Sequence, residues 1–206
     1  MDGVLVDSEP LHKRAKELAF AEIGIVLPES VYDSYKGRPD ATMLPEILTA
    51  RGFAPERIQE LLRRKRQLYE EIEPELRAVD GAVEFVTWAG SRYKIALATS
   101  ATARNRKATL RFLGIADLFH PVVDASGHQR PKPDPEVFLI ALEKLQLNAP
   151  ECWIIEDSVN GLRAAKAAGC FSAAITTTFD KNTLVTAGAD IVVDSFSELQ
   201  TVLARA

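Results

Sequence analysis

Four places in the 206-residue chain combine residue types that can act on a phosphate group: Asp2-Gly3, Thr99-Ser100, Lys132 and Glu156-Asp157. Acids at the ends of two different strands can hold Mg2+, which takes carboxylates together with waters and substrate phosphate oxygens. Thr99 and Ser100 can donate hydrogen bonds to phosphate, as can the backbone N–H groups of a following turn. Lys132 brings positive charge to a phosphoryl group. It stands between two prolines, in Arg130-Pro131-Lys132-Pro133, and the residue before a proline is pushed to an extended conformation. The remaining requirement is a carboxylate nucleophile able to form an aspartyl phosphate.

The elements needed to position these groups are readable from periodicity. Residues 10 to 75 read as helices only. Ser8-Glu9-Pro10 opens the first, and Leu11, Ala15, Leu18, Ala19 and Ile23 recur at helical spacing up to Gly24. A polar helical stretch covers 29–36, Arg38-Pro39-Asp40 is a turn, and a helix carrying Pro45 runs to about Arg51. Pro55 opens another, with a stripe through Ile58, Leu61, Leu62, Leu68, Tyr69 and Ile72. After Gly81 the pattern changes to short apolar runs alternating with helices. The runs are 93–99, 122–124, 152–156, 172–176 and 191–193, and the helices lie at 82–90, to Gly114, 134–146, 158–169 and near 180–188. Alternation of this kind predicts a doubly wound, mostly parallel α/β sheet. The α/β core then comprises 1–8 and 79–206, with an all-helical insert at 9–78 whose two crossings act as hinges. Ligands of open α/β sheets bind beyond the carboxyl ends of the strands, where Asp2, Thr99, Asp124 with Lys132 beyond it, and Glu156-Asp157 all fall.

In this order the motifs resemble those of the haloacid dehalogenase-like (HAD) phosphotransferases, and the resemblance covers essentially the whole chain. Met1-Asp2-Gly3-Val4-Leu5-Val6-Asp7-Ser8 is similar to the second half of the family's Asp-x-Asp-Gly-x-x-x-Asp-Ser loop. The resemblance implies that Asp2 is the general acid/base, its carbonyl also binding Mg2+. It implies that Thr99 is the second-motif hydroxyl and that Lys132, in Lys132-Pro133-Asp134-Pro135, is the third-motif lysine. Glu156-Asp157-Ser158, followed by Asn160-Gly161, then supplies the metal-binding acids. A helical cap directly after the loop is similar to the β-phosphoglucomutase/sugar phosphatase branch. The nucleophilic Asp and a central apolar strand would precede Met1. The expectation is that the sequence as given starts late. As written, it is expected to lack the nucleophile and to leave a gap between the halves of its sheet.

Within the cap, the resemblance to that branch implies substrate contacts at His12, Lys36, Gly37 and Lys65. The Arg63-Arg64-Lys65-Arg66 run also reads as a solvated helix face. The mutases carry an Arg three residues after the Lys-Gly, gripping a second phosphate, where this chain has Asp40; Arg38 stands nearby. Gly37-Arg38-Pro39 is similar to the loop of sugar phosphatases. The expected activity is therefore a Mg2+-dependent phosphatase of a small phosphosugar, with a mutase second. A phospholigand-binding protein without catalysis is the alternative from another class.

Composition narrows the rest. Hydrophobic content of 47%, 26% charged residues and a net charge of −4 suit a soluble globular chain and argue against nucleic acid as the main partner. No apolar run approaches the roughly 20 residues needed to span a bilayer, and no leader precedes the loop, which predicts a cytoplasmic protein; a monomer is expected. Cys152 and Cys170 make no disulfide framework and read as reduced thiols in apolar settings. A dehalogenase is disfavoured by Asp2, and a P-loop kinase by the absence of its glycine-rich motif.

Overall fold

The structure is a computed structural model and describes residues 1–36 and 40–205. The chain divides into two compact units, Met1–Asp7 with Ala78–Ala206, and Ser8–Arg77. Its elements in order are β1 (Val6–Asp7), α1 (Glu9–Ala21), α2 (Glu29–Ser34), α3 (Asp40–Thr49), α4 (Pro55–Ile72), β2 (Arg77–Ala78), α5 (Ala82–Gly90), β3 (Leu97–Ala98) and α6 (Ala103–Leu113). These are followed by β4 (Val122–Val123), α7 (Glu136–Leu145), β5 (Trp153–Glu156), α8 (Val159–Ala167), β6 (Phe171–Ile175), α9 (Lys181–Thr186), β7 (Ile191–Val193) and α10 (Phe196–Leu203). No described helix is long and apolar enough to cross a membrane.

The larger unit is a Rossmann-like, doubly wound α/β core. β3 pairs in parallel with β4, Leu97 opposite Val122. β5, β6 and β7 form a second parallel set in that order, with Trp153 opposite Phe171 and Ala173 opposite Ile191. One face packs Phe85, Val86, Leu110, Phe119, Phe196 and Leu199 from α5, α6, α10 and their loops. The other packs Val137, Phe138 and Ala141 of α7 against Ala164 and Ala165 of α8. Small residues on α8 let that helix lie close to the sheet.

The two sets of strands are not hydrogen-bonded to one another. Between them lies a cavity of about 610 Å3, lined by apolar side chains that include Leu97, Phe138, Ile154 and Ile155. The strand predicted over 93–99 is regular only at Leu97–Ala98, but the Ile95 carbonyl and the Leu97 and Thr99 N–H groups also bond to the 120–123 segment, so the run follows β4 from Ile95 to Thr99. Elsewhere the boundaries fall within a few residues of the periodicity reading, and Pro45 lies inside α3. The C-terminal helix α10, absent from that reading, is capped by Ser195, whose hydroxyl accepts from the Glu198 N–H.

In the smaller unit, α1, α3 and α4 bury Leu11, Ala15, Ala19 and Phe20 against Leu44, Leu48, Leu61 and Leu62. The basic run on α4 is not uniformly solvated. Arg63 and Arg66 are exposed, but Lys65 is only 3% exposed. Its helical phase matches that of Leu61, Leu62, Leu68 and Tyr69, so burial of the stripe carries the lysine inward with it.

Candidate active site

The first residues form a tight turn that only glycine completes. Gly3 adopts φ +68°, and its N–H donates to the Val6 carbonyl at 2.8 Å while the Leu5 N–H donates to that of Met1 at 2.7 Å. A Cβ on Gly3 would meet Asp157 Oδ2 at 1.9 Å. The glycine thus serves both the turn and the approach of the carboxylate. Asp2 bridges to Val6 at the same place.

β5 ends in the acidic pair. Glu156 is 6% and Asp157 7% exposed. Ser158 caps α8 by accepting from the Gly161 N–H, and its hydroxyl donates to Glu156 Oε2 at 3.0 Å. Lys132 donates to Glu156 Oε1, with its Nζ 4.6 Å over the Phe138 ring. Thr178 donates to Asp157 Oδ2 at 2.5 Å, and Thr177 donates to the Gly3 carbonyl. The loop after β6 therefore ties the first turn to the acid pair.

Electrostatics separates the two acids. Burial pushes the Glu156 carboxyl up, but the Lys132 ammonium more than reverses this and holds it below the usual range. Burial, and then the neighbouring charge of Glu156, push Asp157 up to about 7. Two adjacent buried carboxylates with one lysine between them are short of positive charge. This donor set fits a divalent cation held by two acids and otherwise by water and phosphate, the usual Mg2+ arrangement. Among the described residues no group of three or more His, Cys, Asp or Glu forms a protein-only metal cage.

The other predicted residues stand as follows. Thr99 is 3% exposed at the end of β3, its N–H donating to the Val123 carbonyl at 2.9 Å and its Oγ1 accepting from the Ala101 N–H at 3.1 Å. Ser100 is exposed. Asp124, at the end of β4, serves its own loop: it accepts from Ser126 N and Oγ at 3.0 and 2.6 Å and from Arg106 Nε at 3.1 Å. The Ser126 hydroxyl, then Arg106, hold its carboxyl below the usual range. His12 and Lys65 lie together in the helical unit, 2.9 Å between Nδ1 and Nζ, with His12 stacked on Tyr69 at 4.3 Å. Lys36 is half-buried, while Gly37 and Arg38 lie outside the described residues. Sequence reasoning missed Thr177 and Thr178, although three consecutive threonines after an apolar run signal a hydroxyl-rich strand end.

A parallel, doubly wound α/β core interrupted by an all-helical unit, with its acid pair beyond a strand's carboxyl end, defines the architectural class. A sequence profile of the haloacid dehalogenase-like hydrolases matches residues 1–169. A phosphorylated carbohydrates phosphatase of Thermotoga maritima is 33% identical over 173 residues, covering 82% of this chain and 79% of that one. The beta-phosphoglucomutase of Bacillus subtilis is 31% identical, covering 97% and 88%. The solved structure of a hydrolase from Pseudomonas syringae superposes with a TM-score of 0.85 at 25% identity, over 99% of this chain and 95% of that one. The chain belongs to the haloacid dehalogenase-like hydrolase family and is a hydrolase with the fold of that family.

Proposed function

We propose that the protein is a Mg2+-dependent phosphatase of a small phosphorylated metabolite, a phosphosugar, acting in the cytoplasm as a monomer. The observation that carries this reading is the buried cluster of Lys132, Glu156, Asp157 and the Gly3 turn. Its relatives include a phosphatase of phosphorylated carbohydrates. In this reading Glu156 and Asp157, with the Asp2 carbonyl, hold Mg2+, which when bound neutralises charge on the phosphoryl oxygens. Lys132 fixes Glu156 and offers its charge to the same group. Thr99 and Ser100 donate hydrogen bonds to phosphate, and Asp2 gives a proton to the leaving oxygen and takes one from water. The nucleophilic carboxylate is the aspartate that the family loop sets immediately before Met1. His12, Lys36, Gly37, Arg38 and Lys65 select the substrate.

A mutase is the second reading, favoured by the similarity to a beta-phosphoglucomutase. Phosphatase ranks first because Asp40 stands where a grip on a second phosphate would need a cation. The test is hydrolysis of an aryl phosphate, with Mg2+ and with EDTA, by a chain carrying the loop aspartate ahead of Met1. Turnover that requires Mg2+ and falls at least about a hundredfold in K132A is expected. Absence of metal-dependent turnover, with retained binding of phosphosugar, would leave a binding protein instead.

A further inference from the structure

Lys132 stands in an irregular stretch between β4 and α7 that buries little apolar surface of its own. Ser126, Gly127, Gln129, Arg130 and Pro131 are all exposed. Such a segment opens readily and does not by itself fix a long side chain. Yet the lysine is directed at one oxygen of Glu156, the two side chains only 13% and 8% exposed. Helix α7 supplies the constraint at two points. Buried Phe138 sets its ring against the Lys132 ammonium. Glu136, the first residue of the helix, turns back along the loop. One of its oxygens, Oε2, accepts from the Gln129 N–H at 3.2 Å, from the Arg130 N–H at 2.6 Å and from Arg130 Nε at 3.3 Å.

This is more than a surface ion pair. The Arg130 side chain is 66% exposed, so its guanidinium adds little. The two backbone donors do more: successive N–H groups converge on one anionic oxygen and fix the chain at Gln129 and Arg130. The Arg130 N–H, more than its guanidinium, holds the Glu136 carboxyl below the usual range. Asp134 closes the other side, its N–H donating to the Pro131 carbonyl at 3.0 Å and its Oδ1 accepting from the Glu136 N–H at 3.0 Å. Lys132 is thus flanked on both sides by backbone tied to the start of α7. We propose that Glu136 is a positioning residue: it clamps the backbone ahead of Lys132 to α7 and so sets the reach of the ammonium to Glu156. The catalytic half of this inference rests on the phosphatase reading above. The clamp on the Lys132–Glu156 pair does not.

The test is a double-mutant cycle read by urea unfolding of the 206-residue chain in EDTA. K132M leaves Glu156 buried without its cation and should lower the midpoint. In an E136A background the lysine is no longer held against the acid, and K132M should lower the midpoint by no more than about half as much. E136Q keeps a carbonyl oxygen for both backbone donors, so the effect of K132M should return to its wild-type size. If K132M does not fold, E156Q removes the same ion pair and takes its place in the cycle. Equal effects in the wild-type and E136A backgrounds overturn the proposal, as does E136Q behaving as E136A. With the active chain carrying the loop aspartate, E136A should lower kcat/KM at least about tenfold, mainly through kcat. It should cost nothing further in a K132A background; an additive loss there would show that Glu136 does not act through Lys132. No turnover by wild type would refute the phosphatase reading while leaving the unfolding cycle to decide the role of Glu136.

Discussion

Replacing Gly161 by alanine should dislodge the Glu156 carboxylate, and the size of the effect follows from the structure. The added Cβ would sit 2.1 Å from Glu156 Cδ and Oε2 and 2.4 Å from Oε1, where ordinary contact begins at 3.4 Å. The carboxylate cannot swing aside without loss, because it accepts from Lys132 and Ser158 and is almost fully buried. Overpacking costs about 1–3 kcal/mol. Parting a buried ion pair adds to that, toward about 3–5 kcal/mol if the pair separates fully. Alanine in a helix returns about 0.5–1 kcal/mol. A net loss of about 2–4 kcal/mol is expected, which for a chain of this size lowers Tm by about 5–15 °C. The assay is thermal unfolding by circular dichroism in EDTA, for G161A alone and in an E156A background. With the carboxylate removed, the clash is gone and G161A should become neutral or stabilising by about 0.5–1 kcal/mol. An equal loss in both backgrounds would show that Glu156 is not what demands glycine there. No loss in either would refute the packing argument outright.

Two further outcomes are expected. In the metal-free protein Asp157 titrates at about 7 folded and near 3.9 unfolded. The folded state therefore retains a proton that the unfolded chain releases, and stability full below about pH 4 declines as pH rises toward 7. D157N should abolish that slope and exceed wild type in urea midpoint at pH 8; equal midpoints there would be decisive against it. G3A combines positive φ with a Cβ 1.9 Å from Asp157 Oδ2 and should cost more than about 2 kcal/mol in urea unfolding; an unchanged midpoint would contradict the turn geometry.

Local patterning recovered most of the elements because each depends on few contacts. Ala82–Gly90 and Ile191–Val193 are found where residues 82–90 and 191–193 predict them, since periodicity and flanking glycine or aspartate suffice there. The run 93–99 predicts a longer strand than the regular pair Leu97–Ala98, although hydrogen bonds to the 120–123 segment extend from Ile95 to Thr99. Lys65 on the basic run of α4 shows the limit of local reading in a helix: composition suggests solvent, while phase with Leu61, Leu62 and Leu68 sends it inward. Helix phase was available from the sequence, but the counter-ion Asp40 lies 25 residues away in another helix, and only tertiary packing pairs the two.

The acid pair shows where such reading stops for a site. Glu156-Asp157 and Lys132 stand out by residue type and order, because metal and phosphate chemistry needs charges in that combination. What makes the pair usable is less visible. Gly161 and Gly3 leave room for one carboxylate each, and Ser158 and Thr178 orient one oxygen each. None of these four carries charge, and none would be singled out by its own chemistry. The charged residues of a site can be read from what a reaction requires. The small residues around them follow from volume, and volume is set only once β5, α8 and the first turn are brought together.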